Sequence, residues 1–325
     1  MELICPAGTP AAFEAAVDAG ADAVYCGYRD ATNARNFPGL NFSYQEMRDA
    51  VRYAHARRVH VLVAVNTFPK AGQPELWHRA VDEACDAGAD ALILADIGLL
   101  DYAAKKHPKQ RLHISVQAAA ANPDAIRFYQ QAFGVRRVVL PRVLSVHEIA
   151  AVAAATTVET EVFVFGGLCV MAEGRCSLSS YATGKSPNMN GVCSPASHVT
   201  YADDGDTMVS RLGAFTINVF RRDEAAAYPT LCKGRFVTSA GEGYLFEDPV
   251  SLDAASLLPG LKEAGVTALK IEGRQRGRAY IADVVRSFRQ ALTDLEAGRP
   301  VAASGLKAMS EGQSNTEGAY RKTWR

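Results

Sequence analysis

Residues Glu83–Asp96 read EACDAGADALILAD. An Ala-rich run stops at Gly88, and an unbroken apolar run, Ala91–Ala95, starts three residues later. Glycine takes the left-handed conformation that ends a helix at little cost. A strand that is apolar without alternation is buried on both faces. The same order recurs at Ala15–Gly27 (AAVDAGADAVYCG), Gln130–Arg142 (QQAFGVRRVVLPR) and Leu261–Arg274 (LKEAGVTALKIEGR). Helices feeding doubly buried strands call for a parallel sheet covered by helices.

Working outward, strands are expected near Glu2–Cys5, Ala23–Cys26, Val59–Val65, Ala91–Leu94, His113–Val116, Arg137–Leu140, Val162–Phe165 and Ala268–Ile271. Helices fall between them and after the last, and Thr9-Pro10 supplies the cap and first turn of the first one. Eight alternating pairs specify an α/β fold, a TIM-type (β/α) barrel, possible irregularities included. An open dinucleotide-binding sheet is the rival, but no G-x-G-x-x-G follows the first strand.

The alternation lapses between strands seven and eight. Residues 166–253 are rich in Gly, Ser, Asn and Pro, with short β-like runs such as His198–Tyr201 and Phe215–Val219. That is too long for a βα loop, so a Cys-bearing insertion is expected at the C-terminal mouth, where such barrels carry their active sites. The chain then divides into residues 1–165 (first part of the barrel), 166–253 (insertion), 254–298 (closing strand and helix) and 299–325, a polar stretch expected to be a mobile tail.

Thirty-five basic and 35 acidic residues give a formal net charge of zero. Nucleic-acid binders usually carry a basic excess, and the dense basic stretches, Arg274–Arg278 and Arg321–Arg325, are short. Nucleic acid is therefore not expected as the partner. No signal peptide or membrane-spanning run is read, so a cytoplasmic location is expected. In that reducing compartment the seven cysteines are core thiols, ligands or catalytic groups rather than bridges. Cys5, Cys26 and Cys85 sit in regular elements and read as small buried hydrophobes.

Cys169, Cys176, Cys193 and Cys232 lie in the insertion at spacings C-x6-C, C-x16-C and C-x38-C. Structural zinc favours tight C-x2–4-C pairs, and none is present. A four-iron cubane accepts thiolates from more scattered positions. Iron–sulfur, zinc and unligated thiols all stay open on spacing alone. Gly166, Gly167, Gly174 and Gly191 would let backbone amides approach such a cluster. At strand ends, Asn66, Gln117, Arg142, Glu272 and Arg274 are candidates for binding substrate or co-substrate. The guanidinium of Arg142 would suit a carboxylate, and Glu272 could equally serve a structural salt bridge with an arginine. His60 and His113 read as edge or core residues. No catalytic group can be named, and without H-E-x-x-H a peptidase reading gains little support.

The stretch Glu161–Ser180, EVFVFGGLCVMAEGRCSLSS, closely resembles the signature of the collagenase-like peptidases, a family of unknown catalytic type. Cys5–Gly27, Asn33–Phe37 (NARNF), Asn41–Ser43 and Lys270–Leu292 resemble its first and last barrel repeats. Val143 stands where many relatives have an acidic residue, and Gly167 where they have Ser or Ala. The match, helped by LPRVLS at Leu140–Ser145, is closest to members acting in ubiquinone biosynthesis. The resemblance implies a 4Fe-4S cluster on the four insertion cysteines and a heterodimer with a UbiV-like paralogue. It implies oxygen-independent hydroxylation of the ring of a prenylated phenol, a ubiquinone precursor, with prephenate as an oxygen donor known among relatives. Hydroxylation of an RNA base, as in other members, and a non-catalytic iron–sulfur scaffold are the alternatives.

Overall fold

The computed structural model describes residues 1–321 apart from positions 170, 172, 204, 240 and 303. The end of the basic run Arg321–Arg325 thus falls outside the described residues after Arg321. Seven strands come first: β1 (Glu2–Pro6), β2 (Ala23–Cys26), β3 (His60–Val65), β4 (Ala91–Leu94), β5 (Arg111–Ile114), β6 (Arg137–Val139) and β7 (Glu159–Gly167). Each except the last leads to a covering helix: α1 (Pro10–Asp18), α2 (Tyr44–His55), α3 (Glu75–Asp86), α4 (Ile97–Lys106), α5 (Pro123–Phe133) and α6 (Val146–Ala154).

The insertion holds α7 (Leu178–Thr183), α8 (Pro187–Asn190), β8 (Val199–Asp203), β9 (Thr207–Leu212), β10 (Phe215–Arg221), β11 (Arg235–Thr238), β12 (Gly241–Tyr244) and β13 (Ser251–Asp253). The chain then returns through α9 (Leu258–Glu263), β14 (Ala268–Ile271) and α10 (Arg278–Glu296), and a two-residue strand β15 (Asn315–Thr316) follows.

Strand β14 pairs in parallel with both β1 and β7, with Ala268 opposite Glu2 on one side and Glu161 on the other. With β1 to β7 parallel in order, these two pairings close a TIM-type barrel. The helices hold because their caps and apolar faces agree. Thr9 caps α1 by accepting the Ala12 amide, and Phe13, Ala16 and Val17 bury one stripe. Phe13 alone contributes roughly 1.5–3 kcal/mol by burial. Ser43 with Glu46, and Ser145 with Glu148, form reciprocal capping boxes on α2 and α6.

Alternate strand residues face inward. Ile4, Ala23, Tyr25, Leu62, Ala64, Ala91, Ile93 and Ala268 form an apolar cluster separate from the one under the helices. The β5–β7 side is charged instead. Glu161, fully buried, pairs with Lys270 at 2.6 Å and Arg137 at 3.5 Å, and Arg137 also pairs with Glu2 and Glu159. A buried charge needs such partners to persist.

Two expectations change. Val116 leaves the fifth strand for a 3-10 turn, Val116–Ala118. More consequentially, residues 299–325 do not form a free polar tail over their described part. Strand β15 pairs with β13, and β13 runs antiparallel to β7, so both join the barrel sheet. Leu306, Ala319 and Tyr320 are buried, and the Tyr320 hydroxyl donates to the Phe163 carbonyl. A few apolar anchors spaced along polar chain leave no periodic signal, yet they dock it.

Candidate metal centre at the barrel mouth

Loops from the C-terminal ends of β2, β3, β5, β6, β7 and β14 meet on one face. The insertion leaves β7 there and packs its own small core, Leu212, Ile217 and Leu231, over three-stranded β8–β10. Its four cysteines are all partly buried and free. Burial pushes the Cys232 thiol up to about 12, and charge on Cys169, Cys193 and Cys176 adds to that shift. Burial also raises Cys193, where Arg35 opposes and Cys176 reinforces the effect, and Cys169, where Glu173 reinforces it. The thiols scattered over C-x6-C, C-x16-C and C-x38-C are thus brought within electrostatic reach of one another.

Among the described residues, no three His, Cys, Asp or Glu side chains close on one point tightly enough for a single ion. Four soft sulfur donors in one insertion, without a tight pair, suit a larger cluster better than a zinc ion. Cys169, Cys176, Cys193 and Cys232 are the residues that would hold it. Cys5 and Cys26 are fully buried, as a core role requires, and Cys85 is half-buried on α3.

Two of the insertion glycines are required by close packing. At Gly174, φ is +76°, and a Cβ there would lie 1.9 Å from the Gln117 carbonyl oxygen. At Gly191, φ is +77°, and a Cβ would lie 2.3 Å from the Asn33 carbonyl oxygen. Barrel backbone takes the space each missing side chain leaves.

The strand-end candidates separate into different roles. Asn66 is structural: its Oδ1 accepts the Ala34 amide and its Nδ2 donates to Ser115 Oγ, both at 3.0 Å. Gln117 packs beneath Gly174, with a buried Oε1 that has no hydrogen-bond partner among the described residues. Arg142 lies 3.5 Å above the Phe163 ring and donates from Nη1 to Glu173 Oε1 at 2.6 Å, both side chains buried. Its charge is already matched, which corrects its reading as the carboxylate fork. Among the described residues its Nε and Glu173 Oε2 have no hydrogen-bond partner.

Glu272 does form the structural pair, with Arg35 Nε at 3.4 Å, while its Oε2 accepts the Gly167 amide at 3.2 Å. Burial works to raise its carboxyl, but Arg35, Arg142 and that amide hold it below the usual range.

Arg274 differs from Arg142 in its pairing. It is 5% exposed, and among the described residues it donates from Nη1 to Asn33 Oδ1 at 3.0 Å. Among the described residues no carboxylate lies within 4.0 Å of it. Burial pulls its guanidinium down to about 10, with Tyr25 and Glu272 opposing and Arg35 adding to the fall. Arg35, Glu173 and Asn33 were missed as site residues. Asn33 and Arg35 stand in NARNF, but nothing in its spacing shows that it folds back against the insertion.

The model of peptidase family U32 matches residues 8–323. The tRNA hydroxylation protein P of Escherichia coli (strain K12) is 32% identical, with 99% of this chain and 74% of that protein covered. The 23S rRNA 5-hydroxycytidine C2501 synthase of the same organism is 29% identical over 90% of this chain but 39% of its own length. The collagenase of Porphyromonas gingivalis is 26% identical over 90% of this chain and 65% of its own. The solved U32 peptidase Mk0906 superposes on 50% of this chain and 68% of its own, at 18% identity and a TM-score of 0.43. A family pattern running along nearly the whole chain, and a relative matched over 99% of it, place this chain in peptidase family U32.

Proposed function

We propose that this chain is the cluster-bearing subunit of an oxygen-independent hydroxylase. The four partly buried free thiols of the insertion, with charge on Cys169, Cys193 and Cys176 felt at Cys232, carry the reading. Relatives named for tRNA and rRNA hydroxylation support the reaction class. Converting a ring C–H to C–OH with oxygen at the hydroxyl level of a donor releases two electrons with the ring proton, so it needs an external electron acceptor, to which a cluster would relay the electrons one at a time. A 4Fe-4S cluster held by four thiolates supplies electron transfer rather than an open Lewis-acid site.

The chain's own residues would do the rest. Arg274, with no carboxylate against it, would hold a carboxylate-bearing donor such as prephenate, the role first assigned to Arg142. Arg142 and Glu173 would keep the loop after β7 in place. Gln117 Oε1, Arg142 Nε and Glu173 Oε2 leave polar valences for ordered water or substrate.

The substrate favoured here is the ring of a prenylated phenol on the route to ubiquinone, with a UbiV-like paralogue as the second subunit. Zero net charge and the LPRVLS stretch favour it. The second reading, hydroxylation of an RNA base, is favoured by the names of the relatives.

Anaerobic purification with iron and sulfide assays should give about four of each per chain. Cys232→Ala should lose the brown colour and the activity. Bound zinc, or activity that survives cluster loss, would end the proposal. Mass spectrometry for one added oxygen, run on the prenylated phenol and on tRNA, separates the two substrates.

A further inference from the structure

The segment after α10 touches two residues that lead toward the thiols, Lys233 and Phe163. Glu311 makes the first contact. Its amide donates to Ser251 Oγ at 2.9 Å, and the Ser251 amide in turn donates to the Ser314 carbonyl at 3.1 Å. Gly312, at φ +59°, packs so closely on the Pro249 carbonyl that a Cβ would collide with it. Glu311 is thereby fixed to the barrel rim, and its carboxylate takes the ammonium of Lys233. Lys233 is 8% exposed, pairs with no other carboxylate among the described residues, and directly follows Cys232 in the 3-10 turn Leu231–Lys233. A buried ammonium is held where its counter-charge is, so Glu311 sets where that turn sits.

Tyr320 makes the second. Its buried hydroxyl donates to the Phe163 carbonyl on β7. The Phe163 ring lies under the Arg142 guanidinium, and Arg142 holds Glu173, which stands between Cys169 and Cys176.

We propose that Glu311 and Tyr320 are positioning residues for the thiolate quartet: Glu311 places Cys232 through Lys233, and Tyr320 places the Cys169–Cys176 loop through Phe163, Arg142 and Glu173. The stretch that reads as a dispensable tail is then part of the ligand cage. The proposal rests on the iron–sulfur reading above.

The test uses the full chain, reconstituted anaerobically, and follows iron release to a ferrous chelator by absorbance. Glu311→Gln and Tyr320→Phe should each release iron at least about tenfold faster than wild type, the scale on which residues supporting metal ligands act. Glu296→Gln, an exposed change on α10, should match wild type. Urea unfolding of the metal-free proteins, run alongside, should move little for Tyr320→Phe, which separates cage loosening from loss of fold. Should Glu311→Gln fail to fold, Tyr320→Phe decides alone. Wild-type chain that takes up no iron and sulfide removes the reading beneath the proposal. Wild type that loads, with release unchanged in the folded variants, overturns the proposal by itself.

Discussion

Replacing Lys270 by Met tests whether the charged side of the barrel interior holds the fold together by mutual compensation. Lys270 Nζ sits 2.6 Å from Glu161 Oε1 and 3.7 Å from the Tyr25 ring centroid, and Glu161 is fully buried. At an effective dielectric near 20, unit charges at that 2.6 Å separation attract by about 6 kcal/mol. Desolvation of both groups offsets part of this. What remains after Lys270→Met is a buried carboxylate facing Arg137 at 3.5 Å. Breaking a buried pair by removing one partner costs about 3–5 kcal/mol. With a urea slope near 3 kcal/mol per M, the midpoint should fall by about 1–1.7 M.

The double variant Glu161→Leu with Lys270→Met isolates the cause. Arg137 keeps Glu2 and Glu159, so no buried charge is stranded. The double variant should recover to within about 1 kcal/mol of wild type. Circular dichroism during urea titration at pH 7 measures both. A single-variant loss below about 1 kcal/mol, or a double variant worse than the single one, would refute the reasoning.

Three further outcomes are expected. Burial, then Arg137, Arg111 and Lys270, hold the His113 imidazole well below its usual pKa. It is neutral when folded and takes up a proton on unfolding, so stability should fall as pH drops below about 6.5, by up to about 1.4 kcal/mol per pH unit; urea midpoints of His113→Gln should fall less steeply between pH 6 and 5, and parallel slopes would discount the histidine. Gly174→Ala combines a strained φ with a clash against the Gln117 carbonyl, so it should cost about 1–3 kcal/mol and lower the iron bound per chain, with unchanged iron counting against the close approach. Arg274→Met removes a buried charge that has no carboxylate, while Asn33 Oδ1 keeps the Arg35 amide, so stability should change by less than about 1 kcal/mol while the KM for a carboxylate donor rises; an unchanged KM would remove Arg274 from the donor site.

Sequence alone determined the barrel. Helix end, glycine and doubly apolar strand are local features, and their repetition at Gly20, Gly88, Gly134 and Gly265 leaves few architectures. The cysteines could be singled out for a related reason, since thiols in loop-rich chain are chemically conspicuous. How the insertion folds was not legible, because Cys232 follows Leu231, which is placed by the small core it forms with Leu212 and Ile217 rather than by any spacing. Which strand-end charges are free was equally a tertiary matter. Arg142 and Arg274 look alike in the sequence, and only folding sets Glu173 against one and leaves the other without a carboxylate. The docking of residues 304–321 was invisible for the same physical reason: ion pairs and single buried rings form between distant segments, and they print no period along the chain.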